Sequence, residues 1–204
     1  MKTQFASLFA VVGLAATALA APQSFDFKDP KGVNNVVFKL DAPLEAINGS
    51  ASGVSGKVTF DAANPGATKG KIVVAADSLT VPNSMMKEHM HGGQWLDVAN
   101  NKEITFEAKE LKNVKTTGDM TTADAVGTLT VKGVTKDVSV PVTLTYLKGK
   151  LSQRIPKTEG DLLVIRSTFT IKRSEYGINP GAPTDKVADE IELTLSIAGA
   201  APQK

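Results

Sequence analysis

Residues 123–146, ADAVGTLTVKGVTKDVSVPVTLTY, decide the fold. Read with period two, Ala125, Gly127, Leu129 and Val131 share one face, and Val126, Thr128, Thr130 and Lys132 share the other. After a short break, Val138, Val140, Val142, Leu144 and Tyr146 alternate with Asp137, Ser139, Pro141, Thr143 and Thr145. Two such runs joined by a few residues containing Gly133 predict an antiparallel hairpin with one dry face and one wet face. A helix does not fit. β-Branched residues dominate, and a period-two face would wind around a helix surface.

Outward from the hairpin the same alternation recurs. Val36, Phe38 and Leu40 form one short face, Val58 and Phe60 a second, and Lys71 to Ala76 (KIVVAA) a compact apolar run. Ile104, Phe106 and Ala108 precede the hairpin. Leu163, Ile165, Ser167, Phe169 and Ile171 follow it, and Ile191, Leu193, Leu195 and Ile197 close the series. Gly49, Gly53 and Gly56 break a poorly patterned link, Asn64-Pro65-Gly66 reads as a turn, and Lys148 to Gly160 reads as a loop. About eight strands joined by turns predict an all-β, antiparallel sheet, either closed into a barrel or folded as a sandwich. The hairpin and strand phases place Leu129, Val131, Val142, Leu144, Phe169, Ile171, Leu193 and Leu195 inward, with Thr128, Thr130, Thr143, Thr170 and Thr194 outward.

One segment departs from this pattern. Pro82 to Gln94 (PNSMMKEHMHGGQ) holds good helix formers, an N-cap at Asn83 or Ser84, and a stop at Gly92-Gly93. It predicts one short helix near one end of the sheet, with Trp95 and Leu96 behind it.

The N-terminus reads as a targeting segment. Lys2 is followed by an apolar, uncharged run, Phe5 to Leu19, and Ala18-Leu19-Ala20 matches a signal-peptidase site. Residues 1–20 are expected to be cleaved, leaving 21–204 as a single domain that is exported, periplasmic or secreted, with no transmembrane segment. Of 23 Lys and Arg against 21 Asp and Glu, only Lys2 falls in that leader. The mature chain is therefore nearly neutral, which gives no reason to expect nucleic acid or an anionic membrane as partner. There is no cysteine, hence no disulfide framework and no thiolate chemistry.

The catalytic inventory is short. No G-x-S-x-G elbow, P-loop or dinucleotide fingerprint occurs. The two histidines, His89 and His91, lie two apart on the expected helix and so point in different directions, which does not make a metal site. No cofactor and no metal are expected.

Several patches together resemble one family. The hairpin GTLTVKGVTKDVSVPV is similar to that of the YceI-like proteins, extracytoplasmic β-barrels that bind polyisoprenoids and other lipids. Lys87-Glu88-His89-Met90 with Trp95-Leu96-Asp97 resembles the family's helix and following element, and Phe169 to Ile178 (FTIKRSEYGI) resembles its Arg-x-Asp-Phe-Gly-Ile strand end. Gly56 to Asp61 (GKVTFD) adds a weaker patch. Asp137 stands where the family usually has proline, and Ala42 where it usually has a histidine. The resemblance implies an eight-stranded, lipocalin-like barrel holding a polyisoprenoid or another long-chain lipid, without catalysis, as carrier or scavenger. Candidate ligand contacts are Phe38, Phe60, His89, Trp95, Leu96, Phe106, Leu129, Val131, Leu144, Phe169, Ile171, Arg173 and Tyr176.

Two other readings stay open. One is an enzyme using Glu88, His89 and Asp97. The other is a structural β-domain with a filled interior. Small residues at Ala108, Ala125 and Gly127 argue for unfilled space. Arg173 continues the inward phase of its strand and is expected at the rim, its head wet, paired with Glu175 or Glu88, or meeting a lipid head group.

Overall fold

The computed structural model describes residues 21–203, so the expected leader, residues 1–20, lies outside the described residues. Eleven strands occur among them: β1 (Gln23–Asp26), β2 (Asn35–Asp41), β3 (Ala46–Ala51), β4 (Val54–Phe60), β5 (Lys69–Ala75), β6 (Leu79–Thr80), β7 (Glu103–Thr117), β8 (Met120–Val131), β9 (Val134–Leu147), β10 (Gly160–Lys172) and β11 (Glu190–Pro202). Two helices accompany them, α1 (Ser84–His91) and the one-turn α2 (Leu151–Arg154).

All the pairing is antiparallel. The order β1-β4-β5-β7-β8-β9-β10-β11 returns to β1 through Asp26 opposite Ala200, so eight strands close a barrel. The outer edge of β11 is shared end to end: Glu192–Ser196 pair with β2, and Ala200 with β1. From β2 the sheet continues through β3 to β6 as a flap. Closure removes the exposed strand edges that an open sheet of this length would carry.

The β8–β9 hairpin turns through Lys132 and Gly133, both at positive φ (49° and 75°), with Val131 paired to Val134. Two left-handed residues in a two-residue loop match the twist of the flanking strands, and glycine tolerates the second position without strain. Along β8, Thr121, Ala123, Ala125, Gly127, Leu129 and Val131 are buried and their neighbours are not. That is the predicted phase. The predicted inward residues of β9, β10 and β11 likewise face the interior, and on the outer surface Thr130 pairs with Thr135 and Thr194 with Thr168.

Three strands of the described chain are absent from the alternation pattern. β1 is four residues long and β6 two, while β3 (AINGSA) lies in the stretch read as an irregular glycine link. In β3 the ring of Phe38 lies over Gly49, where a Cβ would sit 2.1 Å from its Cζ, so an aromatic side chain covers the glycine. The stretch read as a loop after β9 also holds α2, whose Leu151 is fully buried.

The two ends of the barrel differ. At the end where β9 finishes and β10 begins, Tyr146 meets Phe25 edge-on (6.2 Å between centroids) and Phe60 at a tilt (5.8 Å). The Tyr146 hydroxyl donates to buried Asp161 at 2.7 Å, and the Gly149 amide donates to the other oxygen at 2.7 Å. Burial pushes the Asp161 carboxyl up, but those donors and nearby Lys148 together hold it below the usual carboxylate range. Burial, then the Asp161 carboxylate, push the Tyr146 phenol up to about 12. Close by, Asp29 accepts from the amides of Lys31, Val33 and Asn34 and from Arg154 at 3.0 Å, tying α2 to the loop before β2. This end is sealed.

Candidate functional site

The opposite end gathers α1, the β2–β3 turn at residues 42–45, the Lys132-Gly133 turn and the segment between β10 and β11. Beneath them lies a cavity of about 390 Å³. That is within the range of small-molecule sites, roughly 300–1,000 Å³. Its wall is almost entirely apolar and draws on β2, β3, β5, β7, β8, β9, β10 and β11. The interior therefore holds open space, which counts against the reading of a filled structural barrel.

Helix α1 forms the cap of this chamber. The Asn83 side chain accepts from the Met86 amide at 2.9 Å and starts the helix; Gly92 ends it by donating to the Glu88 and His89 carbonyls. Met86, His89 and Met90, at i, i+3 and i+4, share the face turned to the cavity. His91 points elsewhere, its Nε2 lying 2.8 Å from the Leu79 carbonyl oxygen. The histidines diverge, as their spacing predicts. The chain then bends back over the opening, with the Trp95 and Asp97 amides both donating to the Gly92 carbonyl, which brings Trp95 and Leu96 into the wall.

Of the residues singled out from the sequence, Phe38, His89, Trp95, Leu96, Phe106, Leu129, Val131, Leu144, Phe169, Ile171 and Arg173 line the cavity. Phe60 and Tyr176 do not. Phe60 belongs to the sealed end, packed on Tyr146. Tyr176 sits in the 3-10 turn Arg173–Tyr176, buried, with the Lys136 ammonium 5.9 Å from its ring centre. Burial, and next the charge of Glu175, raise its phenol pKa.

Arg173 corrects a second expectation. It is 1% exposed rather than wet at the rim, and neither Glu88 nor Glu175 pairs with it. Glu175 instead meets Lys136 at 3.3 Å. The Arg173 Nε donates to the Ala188 carbonyl (3.1 Å), Nη1 to Ile178 (3.2 Å) and Asn179, and Nη2 to Ala182 (2.8 Å) and Val187 (3.1 Å). A guanidinium has five N–H groups. All five are engaged by backbone carbonyls of residues 178–188, so this side chain folds that segment across the barrel end. Neighbouring Asp189 accepts from the amide and the hydroxyl of Ser174; these bonds, against a smaller desolvation effect and with help from Arg173, hold its carboxyl below the usual range.

Small side chains at Ala108 and Ala125 do border the cavity. Gly127 does not. A Cβ there would lie 2.1 Å from the Glu107 carbonyl oxygen, beside the register shift between Ala108 and Glu110 of β7. Its smallness serves close approach of two strands at a bulge. Met86, Met90, Ile47, Leu79, Val81 and Glu45 also line the cavity and were not singled out. The helical spacing of Met86 and Met90 with His89 was a signal for the first two. The remaining trio of an enzyme reading is not assembled: Glu88 is exposed and outside the wall, while the Asp97 carboxylate accepts from Asn100 at 3.0 Å.

Comparison with known proteins matches residues 29–199 to the YceI-like domain. A UPF0312 protein of Pseudomonas paraeruginosa is 33% identical over 144 residues, covering 71% of this chain and 69% of that protein. A UPF0312 protein of Yersinia pestis (strain Pestoides F) is 30% identical over 196 residues, 95% of this chain and 93% of its own length. Among solved structures, Burkholderia cenocepacia BcnA superposes with a TM-score of 0.65 at 21% identity, covering 81% of this chain and 95% of that one. A polyisoprenoid binding domain from Saccharophagus degradans, implicated in plant cell wall breakdown, superposes with a TM-score of 0.64 at 12% identity, covering 89% of this chain and all of that one.

Proposed function

Since this chain belongs to the YceI-like domain family, we propose that it is a non-catalytic binding protein that holds a long apolar lipid of polyisoprenoid type in the barrel, outside the cytoplasm, as carrier or scavenger. The observation that carries this reading is the capped apolar cavity of about 390 Å³. A hydrophobic chain entering it gains about 0.8 kcal/mol per buried methylene, or about 4 kcal/mol per five-carbon unit. A few such units outweigh the cost of association, on the order of 4–15 kcal/mol. The solved Saccharophagus degradans domain, described as polyisoprenoid binding, supports the same ligand class.

Catalysis finds no support in the wall, which His89 lines but Glu88 and Asp97 do not. Export rests on the leader at residues 1–20, and no helix among the described residues is long and apolar enough to cross a membrane. The test is organic extraction of the purified mature protein followed by mass spectrometry. A long-chain isoprenoid recovered at close to one per chain is expected. Extracts without any long-chain lipid, from protein that also takes up none when offered it, would refute the proposal.

A further inference from the structure

Five polar or charged side chains reach the cavity wall: Glu45, Thr68, His89, Ser167 and Arg173. Three of them are already engaged. The Thr68 hydroxyl donates to the Pro65 carbonyl at 2.6 Å and the Ser167 hydroxyl to the Pro141 carbonyl at 2.6 Å. The Arg173 guanidinium, which is the natural partner for a phosphate, has its five N–H groups on five carbonyls. It offers a ligand head group nothing.

Glu45 and His89 remain. Both border the cavity and both are solvent-exposed, which places them where the chamber opens. Glu45 is held in the β2–β3 turn, where its carbonyl accepts from the Ala42 amide at 3.0 Å; the Leu44 amide anchors the same turn to the Asp185 carbonyl at 2.9 Å. His89 hangs from the cavity face of α1. Among the described residues no cation pairs with Glu45 and no hydrogen-bond partner meets the His89 ring. Lys87 and Lys186 stand on mouth segments but outside the wall.

From this arrangement we infer that the cavity selects its lipid by the head group, accepting an uncharged head that donates a hydrogen bond, as a long-chain alcohol does, and rejecting the same chain carrying a phosphate. The inference rests on the apolar-ligand reading and adds the class of head group to it. A carboxylate only accepts hydrogen bonds, so Glu45 attracts a hydroxyl and repels a phosphate. The ring nitrogens of His89 can complete the hydrogen-bonding pair. The one wall cation that would reverse the preference is committed to the loop it folds.

The experiment compares farnesol, farnesyl methyl ether and farnesyl diphosphate on delipidated mature protein at pH 8, above the ordinary imidazole range. The sole tryptophan, Trp95, lies in the wall and supplies the emission readout. Farnesol should bind at least tenfold more tightly than the diphosphate, about 1.4 kcal/mol, and more tightly than the ether, which lacks the donor. Glu45→Gln, on an exposed turn, should leave the melting temperature in place and bring the diphosphate to within about threefold of the alcohol. A diphosphate that binds as well as farnesol overturns the inference. If all three bind alike, head-group selection falls while the apolar-ligand reading stands. If none binds, both fall.

Discussion

Replacing Arg173 by leucine removes five hydrogen bonds from one buried site. The Ile178 carbonyl is fully enclosed by that contact, and leaving it unpaired costs about 1–3 kcal/mol. The other four carbonyls, of Asn179, Ala182, Val187 and Ala188, are part-buried. Water can replace some of what they lose, so each contributes about 0.5 kcal/mol. Against this sum, leucine no longer requires a dehydrated guanidinium and packs its apolar surface on the cavity wall, which returns about 1–2 kcal/mol. The net destabilisation is about 1–4 kcal/mol, centred near 2.5. For a domain of this size each kcal/mol moves the melting temperature by about 2–4 °C, so circular dichroism melts should show a fall of about 5–10 °C. Arg173→Lys should fall nearly as far, because an ammonium with three donors cannot span five carbonyls. A leucine variant that melts within 1 °C of the parent and loses affinity only for anionic lipids would refute the assignment. Arg173 would then be a ligand contact rather than the organiser of residues 178–188.

Other consequences concern the sealed end, the bulge and the histidines. The depressed carboxyl pKa values of Asp29, Asp161 and Asp189 give stability that is present above the unfolded value of 3.8 and lost as pH falls below it; Asp161→Asn should make that acid-side loss in a pH series of thermal melts visibly shallower. Tyr146 has the opposite sign: its contribution is present below the unfolded value of 10.0 and lost as pH rises toward about 12, so Tyr146→Phe should flatten the alkaline limb. Gly127→Ala forces a Cβ to 2.1 Å from the Glu107 carbonyl oxygen and should cost about 1–3 kcal/mol in urea unfolding, whereas an unchanged midpoint would mean that the bulge is plastic. A strong chelator should leave the melting temperature where it is, since His89 and His91 point apart; a drop of several degrees would mean that a bound metal contributes to folding.

The barrel was legible where alternation ran long enough to be a signal. In β8 and β9 a one-residue slip would have turned Leu129, Val131, Val140, Val142 and Leu144 to solvent, so pattern alone set the facing of both strands. Helix α1 was legible from its caps, Asn83 and Gly92. The short strands were not. Four residues of β1 cannot display a period, although Phe25 and the following Phe27 are fully buried. In β3 the covering of Gly49 by Phe38 is a contact across strands that no local reading contains. Arg173 shows the same limit. Period two carried it inward correctly, but β10 ends at Lys172, and its carbonyl partners lie 5–15 residues further on, in a segment without periodicity. Gly127 was read as a sign of free space because small residues have two uses, leaving a void or letting backbones meet. Only the position of β7 separates them.

Trp95, in the wall of the capped chamber, reports directly on whether an apolar ligand occupies it. Delipidated protein titrated with geranylgeraniol should show a saturable blue shift of Trp95 emission at one ligand per chain. In Ala125→Phe, which places a ring inside the chamber, the apparent affinity should fall about tenfold or more with the fold retained. An emission spectrum that does not move, or a shift that fails to saturate and is the same in Ala125→Phe, would contradict the claim that the cavity is the binding site.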